Sequence, residues 1–467
     1  IVSAAWRGDG ALREMQRRLL SRGGEARHDP PAMIAAKQEL APSRPARTVD
    51  DLTRARDLPP ASHRRKIALL LTDLNGGGVQ KMTMSLAGAF AERGHEAIIV
   101  LYSARGVLKS QLPPAVELHH LKASSRLSAR LAPIRADPLA LPQLLLPVIL
   151  SRKPLPGLKY LPSLALFLRR QRPDALISAA PNCNLAAVWA NRLAGGRTKV
   201  LISERTAPSK MLTKTTSWRT RFLPGLMRRT YQQADVIVAV SRALGDDLAA
   251  VTAIPRERIV TIYNPVVGPN LPRLAAAPVA HPWFAPGGPP VVLSAGRLSA
   301  QKDFPTLVRA FARLRQSLDA RLVILGGATA DDKTESRQQD LLALAESLGV
   351  AADLDLIGFM ANPYAYMARA RIFTLSSAWE GFGNVLVEAL ACGCPVVSTD
   401  CPHGPAEILD GGRYGRLTPV GDAEGLANAM TETIMAAPDR ELLRGRAQDF
   451  TVEHSVDGYL RALFGEA

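Results

Sequence analysis

The apolar residues of this chain fall into short continuous runs that alternate with longer stretches of helical periodicity. The first clear run, Lys66–Leu71, predicts a strand buried on both faces, and it ends at a turn with three consecutive glycines, residues 76–78. A helix is expected over residues 79–93, followed by a second strand over 95–101. This order is a βαβ unit with glycines at its first turn, where open α/β sheets bind ligands.

The same alternation continues along the chain and divides it into two halves. Further strands are predicted at residues 175–178, 199–203, 236–240, 259–263, 291–294, 321–327, 354–357, 372–375, 395–398 and 415–417. The segment 271–290 is rich in Pro, Ala and Gly and is predicted to be a linker. The expected fold class is therefore α/β, with two Rossmann-like, doubly wound domains, residues 64–270 and 291–445, that face each other across a cleft.

The two ends of the chain are expected to lie outside these domains. Residues 1–63 mix arginine, proline and acidic residues without sustained apolar periodicity, which predicts a basic and largely flexible arm. Residues 1–20 lack the compact apolar core and cleavage site of a secretory signal. Residues 446–467 are predicted to form a final helix.

Composition is that of a globular protein, with 47% apolar and 21% charged residues. No apolar run reaches the roughly 18 residues that span a bilayer, and the longest, 138–150, is interrupted by prolines.

Three of the four cysteines, Cys392, Cys394 and Cys401, cluster without a second pair of metal ligands. We interpret them as buried reduced thiols rather than a metal site or a disulfide framework, which implies a reducing compartment.

The net charge of +16 is unevenly distributed. Residues 151–232 contain 16 Lys and Arg but only 2 Asp and Glu, whereas residues 289–467 contain 16 and 23. The basic half is therefore expected to face a polyanion, either an anionic membrane or nucleic acid. If the polyanion is a membrane, loss of lipid-vesicle binding is expected on charge reversal at Arg219, Arg221, Arg228 and Arg229.

The segment 377–397 carries two glutamates eight residues apart. Glu380 lies in a Gly-rich turn, and Glu388 lies about two turns along the helix that follows. The turn presents backbone N–H groups at a helix N-terminus, where anionic or hydroxyl-rich ligands bind. Two carboxylates at this spacing can hold hydroxyls at two points of one extended ligand, such as a nucleotide-sugar.

Two cations follow the first strand of the second half. Arg297 comes just past the predicted strand and Lys302 lies five residues further on, before a helix. Such a pair can neutralise a diphosphate and stabilise it as a leaving group, although solvated surface charges are the alternative. No Asp-x-Asp pair stands at the end of a strand, so the sequence predicts no metal, and Arg297 with Lys302 would take the place of a divalent cation.

Together these segments resemble the retaining glycosyltransferases of family 4, which adopt the GT-B fold. The carboxylate segment matches the E-x7-E signature of that family, and residues 296–303 match its G-R-L-x-x-x-K-[DG] element. The resemblance implies that Arg297 and Lys302 hold the donor diphosphate, that Glu388 binds the ribose, and that Glu380 lies at the transferred sugar. It also implies that the final helix, or the segment before it, crosses back to the first domain.

The resemblance extends to backbone contacts with the donor. Backbone N–H groups of Phe382, Gly383 and Asn384 would complete the sugar pocket, although simple helix capping by Asn384 is an equal alternative. Gly77 and Gly78 match the family's N-terminal glycine loop, whose backbone approaches the phosphates and the acceptor.

Two further residues and one further segment each have two interpretations. Where many relatives have a histidine, this chain has Ser203-Glu204-Arg205, as in a subgroup that builds cell-surface glycans; Glu204 or Arg205 contacts a substrate, or the two form an ion pair that fixes the loop. Asn264 is interpreted as initiating a turn, with ligand contact as the alternative. Glu407 is expected to cap the helix that follows it, with donor contact as the alternative.

The resemblance implies transfer of a sugar, with retention, from a UDP-sugar or GDP-sugar, the former preferred, to a lipid-linked or polysaccharide acceptor. No cofactor and no nucleic-acid partner are expected. The basic half would hold the enzyme at the inner, cytoplasmic face of the membrane. The alternatives are a non-catalytic polyanion-binding protein and a GT-B enzyme that acts on a nucleotide-sugar without transfer.

Overall fold

The computed structural model of this chain describes residues 64–75, 77–103, 106–144, 148, 155, 157–214, 222–326, 334–436 and 439–465. The predicted arm, residues 1–63, lies outside the described residues. Arg219 and Arg221 lie outside them as well.

The first domain is built on a sheet of seven parallel strands in the order β3-β2-β1-β4-β5-β6-β7. The strands are β1 (Lys66–Leu71), β2 (Glu96–Leu101), β3 (Val116–His120), β4 (Ala175–Ala179), β5 (Lys199–Glu204), β6 (Val236–Ala239) and β7 (Ile259–Thr261). Helices connect them: α1 (Gly78–Glu92), α2 (Arg126–Ala136), α3 (Leu141–Leu144), α4 (Leu161–Gln171), α5 (Pro181–Ala194), α6 (Pro208–Lys214), α7 (Leu223–Tyr231), α8 (Arg242–Thr252) and α9 (Leu271–Ala275).

The second domain has six parallel strands in the order β10-β9-β8-β11-β12-β13. They are β8 (Val291–Ala295), β9 (Arg321–Leu325), β10 (Leu354–Gly358), β11 (Ile372–Leu375), β12 (Val396–Thr399) and β13 (Arg416–Thr418). The helices from here to the C-terminus are α10 (Phe304–Leu314), α11 (Thr334–Ser347), α12 (Tyr364–Arg369), α13 (Asn384–Ala391), α14 (Pro405–Ile408), α15 (Ala423–Met435), α16 (Arg440–Ala447) and α17 (Val452–Phe464). Short 3₁₀ turns lie at Val107–Gln111, Pro138–Ala140, Leu158–Tyr160, Arg256–Arg258, Pro282–Phe284, Ala351–Asp353, Asp410–Gly412 and Gln448–Phe450.

The predicted fold class is confirmed, and the apolar runs explain it. Alternate residues of β1 and β2 enter the two hydrophobic clusters on opposite faces of the first sheet, so both faces are covered. A sheet buried on both faces needs continuous apolar strands, which is the pattern seen in the sequence. Strand β3 is absent from the prediction because its sequence, Val-Glu-Leu-His-His, is not a continuous apolar run. It lies at the sheet edge, where fewer side chains are buried.

The final helix α17 lies against the first domain. Val456, Tyr459 and Leu460 are buried in the cluster formed by α1 and the first sheet. At the helix end, the Lys199 ammonium donates to the Leu463 carbonyl over 2.9 Å. The chain therefore returns from the second domain and becomes part of the core of the first.

A buried polar cluster lies beneath the carboxyl end of β5. Glu204 is fully buried, and its Oε1 accepts hydrogen bonds from the Tyr231 hydroxyl and, over 2.9 Å, from the Asn184 amide. Burial raises the pKa of Glu204 to about 7, although these two hydrogen bonds act in the opposite direction. The predicted alternative of an ion pair between Glu204 and Arg205 is wrong, because each side chain bonds to other partners.

We expect Leu460→Ala to destabilise the first domain by about 2–5 kcal/mol, because it leaves a cavity where α17 meets the sheet. Leu442→Ala is the matched control, since Leu442 is 44% exposed and its loss should change stability by less than about 0.5 kcal/mol. Urea unfolding followed by circular dichroism measures both. Equal effects of the two substitutions would contradict the packing of α17.

A second prediction concerns the pH dependence of stability. The pKa of Glu204 is raised from 4.5 to about 7 on folding. The protonated side chain therefore stabilises the folded state fully below pH 4.5, and this stabilisation is lost as the pH rises to about 7. That shift corresponds to about 3 kcal/mol. The stability advantage of Glu204→Gln over the parent protein is therefore expected to be larger at pH 8 than at pH 5, as measured by melting temperature. A pH-independent difference would contradict this, and exposed Glu453→Gln is the control for loss of one charge.

Candidate active site

The carboxylate of Glu380 is held by three side chains at the carboxyl ends of two strands. Its Oε1 accepts hydrogen bonds from the Lys302 ammonium over 2.6 Å and from the Ser377 hydroxyl over 2.7 Å. Its Oε2 accepts a longer one, 3.3 Å, from the Gln301 amide. Because Glu380 is only 7% exposed, the ion pair with Lys302 compensates the cost of burying a charge there.

Two loops distant in sequence meet at this ion pair. The loop after β8 and the loop after β11 are joined by backbone contacts as well, since the Ser376 hydroxyl donates to the Lys302 carbonyl over 2.8 Å. The Ala378 amide donates to the Gln301 carbonyl over 2.9 Å. The structure thus brings together two of the segments singled out in the sequence.

Arg297 lies in the same loop as Lys302, two residues after the end of β8, and its side chain is exposed. It makes no hydrogen bond or ion pair with another residue in the described part of the chain. Its guanidinium is therefore available to an anionic ligand, with five donors in a fixed planar arrangement.

The second glutamate of the motif, Glu388, lies on α13 and is half-buried. Burial raises its pKa, while the charges of Lys81 and Lys302 and a hydrogen bond with Tyr364 act to lower it. Lys302 therefore acts electrostatically on both carboxylates. Lys81 belongs to α1 of the first domain, so this cation reaches the second domain from across the cleft.

The turn before α13 is fixed against the first domain. Gly381 passes so close to the Arg205 carbonyl that a Cβ atom there would lie 2.1 Å from the oxygen. Gly383, with φ of 100°, adopts a left-handed conformation that favours glycine. The Phe382 ring is buried and stacks on Tyr263 with a centroid distance of 5.6 Å, so only its backbone can face a ligand.

The predicted alternative of helix capping by Asn384 is wrong. The N-cap residue of α13 is Gly383, and Asn384 is the first residue of the helix. Its side chain instead accepts a hydrogen bond from the Asn264 amide over 2.8 Å and approaches the Met82 sulfur. Asn264 therefore joins the two domains, a role that neither of its predicted interpretations included.

The glycine loop of the first domain faces the same helix. A Cβ atom on Gly78 would lie 3.8 Å from the Asn384 amide nitrogen, so the start of α1 lies opposite the start of α13. Gly77 precedes α1 as its N-cap residue. Arg205 is buried behind this contact and donates to Asn264 over 2.9 Å and to the Tyr459 hydroxyl over 3.1 Å.

Glu407 stabilises a helix, but not the one expected. It lies within α14, and both carboxylate oxygens accept from the Arg242 backbone amide, over 3.0 and 2.8 Å, at the start of α8 in the first domain. The Tyr263 hydroxyl donates to it over 2.8 Å. A carboxylate at a helix N-terminus is favourable, so Glu407 holds the two domains together rather than capping its own segment.

The cysteine cluster is buried, as predicted. Cys392, Cys394 and Cys401 are free thiols with little exposure, and burial raises the pKa of Cys392 and Cys401 to about 12. Among the described residues no group of three or more His, Cys, Asp or Glu side chains is placed to hold a metal ion. No helix within the described ranges is long and apolar enough to cross a membrane.

Several residues of the site escaped the sequence analysis. Ser377 and Gln301 lie inside the segments that were singled out, next to residues of the predicted site, and their polar side chains were the only signal. Tyr364 and Lys81 lie on helices other than the one that carries Glu388, and nothing in their local pattern predicts their approach to it.

Comparison with known families gives two adjoining matches. Residues 76–267 match the family described as Glycosyltransferase Family 4, and residues 281–449 match Glycosyl transferases group 1. The two matches correspond to the first and second domains of the structure.

Similar proteins agree with these matches. A Campylobacter jejuni N-acetylgalactosamine-N,N'-diacetylbacillosaminyl-diphospho-undecaprenol 4-alpha-N-acetylgalactosaminyltransferase is 32% identical over 59% of this chain and 72% of the relative. The Rhizobium meliloti lipopolysaccharide core biosynthesis glycosyltransferase LpsE is 34% identical over 38% of this chain and 51% of the relative. In fold, the Anabaena HepE protein in complex with UDP and glucose superposes with a TM-score of 0.66 at 20% identity, covering 86% of this chain and 100% of that one. The chain therefore belongs to the family 4 glycosyltransferases and has their GT-B fold.

Proposed function

We propose that this protein is a retaining, metal-independent glycosyltransferase that uses a nucleoside-diphosphate sugar, a UDP-sugar in preference to a GDP-sugar, to extend a lipid-linked or polysaccharide acceptor of the cell surface. The observation that carries the proposal is the position of Lys302. It pairs with Glu380, acts on Glu388, and lies on the same loop as the exposed Arg297. One ligand with a diphosphate between a sugar and a ribose matches this order of charges.

The arrangement suggests how the donor would be activated. Diphosphate oxygens would take hydrogen bonds from Arg297 and Lys302, which stabilises the charge that develops as the sugar–phosphate bond breaks. Lys302 would then share its charge between the phosphate and Glu380. The Glu380 carboxylate would fix sugar hydroxyls and stabilise positive charge at the anomeric carbon, while Glu388 accepts hydrogen bonds from the ribose hydroxyls.

Retention and acceptor activation follow the family's account. Both oxygens of Glu380 already accept hydrogen bonds from neighbouring side chains, which favours an electrostatic role over proton abstraction. In the proposed reaction the leaving phosphate accepts the proton of the acceptor hydroxyl as the new bond forms on the same face. No cofactor takes part.

The names of similar proteins support the choice of donor and acceptor. The HepE structures hold UDP and UDP-glucose. The Campylobacter relative is named for an acceptor on diphospho-undecaprenol, and the Rhizobium relative for the lipopolysaccharide core. By extension, we propose that the present chain uses a UDP-sugar donor and an acceptor of the cell surface. The reaction would take place at the cytoplasmic face of the membrane.

The membrane contact is best assigned to the α2–α3 region of the first domain. Leu127, Leu131, Leu139 and Leu141 are exposed on consecutive elements in this region, and Leu139 reaches 77% exposure. Arg126 is exposed at the start of α2. Apolar side chains beside cations suit the interface of an anionic bilayer.

Arg229 is less suited to a membrane contact, because its guanidinium forms a bidentate pair with Asp137, with both distances 2.8 Å.

The donor site predicts a specific pattern of ligand stabilisation. We expect one class of UDP- or GDP-sugar, tested in EDTA, to raise the melting temperature, because a ligand at 100 times its Kd stabilises the native state by about 2.7 kcal/mol. Arg297→Ala should weaken binding about 10- to 100-fold, since a hydrogen bond to a charged group contributes about 1.5–3 kcal/mol. Arg297 is exposed, so its loss should leave the melting temperature without ligand unchanged.

Arg313→Ala is the matched control, since Arg313 is an exposed cation of the same domain. It should bind the donor like the parent protein. If no nucleotide-sugar shifts the melting temperature, or if Arg313→Ala and Arg297→Ala behave alike, the donor site is misassigned. The polyanion-binding alternative would then be favoured. Donor hydrolysis without transfer to any acceptor would support the third alternative.

The membrane contact is tested with phosphatidylcholine vesicles containing about one third phosphatidylglycerol. We expect Leu127→Asp combined with Leu139→Asp to reduce co-sedimentation at least tenfold, because apolar burial at the interface is replaced by charge repulsion. Leu348→Asp with Leu442→Asp introduces the same charges at exposed leucines elsewhere and should bind normally. Equal binding by both double variants would contradict the assignment.

A further inference from the structure

A concave basic surface lies on the first domain at the amino-terminal ends of the sheet strands, opposite the cleft. It is a groove of about 730 Å³ where β4 and β5 begin. Strand β5 runs from Lys199 in the groove to Glu204 near the cleft, and six residues of strand span about 20 Å. A ligand in this groove therefore cannot also contact the Glu380–Lys302 pair.

The lining of the groove is strongly and unevenly charged. Its cations are Arg65, Arg169, Arg172, Arg197 and Lys199. Among the described residues that line it, Asp174 is the one acidic residue, and its carboxylate already accepts a hydrogen bond from the Lys66 backbone amide over 2.8 Å. Five cations beside one carboxylate in a concave surface repel one another, and a bound anion relieves that repulsion.

Some of these cations form the wall of the groove. Arg65 and Lys199 lie over the Phe464 ring, 4.9 and 5.4 Å from its centroid. Arg169 donates to the Leu193 carbonyl over 2.5 Å. For Arg169 and Lys199 these contacts fix the position of the charge without neutralising it, because an aromatic ring and a carbonyl carry no net charge.

The other two cations are open to a ligand. The side chains of Arg172 and Arg197 are exposed, and neither guanidinium makes a hydrogen bond or ion pair with another residue in the described ranges. Arg172 ends α4 in a left-handed conformation, with φ of 45°, and Arg197 follows the turn after α5. Two unpaired guanidinium groups on separate loops suit a ligand with more than one anionic group.

We propose that this groove is a second binding site, for a phosphate-bearing anion of at least two negative charges, separate from the donor site. Guanidinium groups bind phosphate oxygens in bidentate geometry, and Phe464 closes one side of the site with an apolar surface. The phosphate can belong to a soluble molecule or to a lipid headgroup. The proposal does not depend on the proposed transferase activity.

The soluble source is tested by calorimetric titration of the full-length protein with inorganic tripolyphosphate in EDTA. The lipid source is tested by co-sedimentation with phosphatidylcholine vesicles, with and without phosphatidylglycerol. We expect Arg172→Glu combined with Arg197→Glu to lose at least tenfold in affinity for whichever probe binds. Arg258→Glu with Arg273→Glu makes the same change of net charge at exposed positions outside the groove and should retain binding.

A further variant separates the groove from the cleft. Arg297→Ala removes the open cation of the donor site and should leave the tripolyphosphate affinity of the groove unchanged. If Arg297→Ala abolishes binding while the Arg172/Arg197 variant retains it, the anion binds in the cleft and the proposal is overturned. It is also overturned if neither probe binds the parent protein, or if the Arg258/Arg273 variant loses as much as the groove variant.

Discussion

The buried ion pair between Lys302 and Glu380 is the interaction on which the site depends. It joins the loops after β8 and β11, and without Lys302 the carboxylate would be left charged and largely desolvated. The same cation influences Glu388, which lies about one turn into α13 rather than the two turns expected from the sequence. A ligand that carries its own negative charge to Lys302 would therefore alter the surroundings of both carboxylates at once.

The second constraint is the contact between the domains. Gly381 packs against the Arg205 backbone, Asn384 is bonded to Asn264, and Glu407 is bonded to the first amide of α8. These contacts surround the turn that begins α13, so the geometry of the candidate site is shared between domains. The return of α17 to the first domain adds a covalent tie, and its Tyr459 hydroxyl accepts from Arg205 behind the same turn. Opening of the cleft would have to break several of these bonds together.

The charge of the first domain is divided by the fold into regions with different surroundings. Some arginines of the basic segment are paired, as Arg229 is with Asp137, and others remain open in the groove at the amino-terminal ends of β4 and β5. The exposed leucines of α2 and α3 form a third region with apolar character. A single net charge for the segment conceals this division, because charges that are neighbours in sequence lie on helices and loops that face different directions.

The sequence by itself determined the two α/β domains and the segments from which the site is made. Continuous apolar strands and glycine turns are local patterns, and a parallel sheet buried on both faces is the structure that satisfies them. The motif residues Glu380, Glu388, Arg297 and Lys302 were identified because their spacing is also local. Only the tertiary structure decided that Lys302 pairs with Glu380, 78 positions away, that Glu407 caps α8, and that Asn384 bonds across the cleft. Such contacts depend on which loops meet when the sheets pack, and no short-range pattern records that meeting. The edge strand β3 and the basic groove have the same origin, because exposure and concavity are properties of the folded surface.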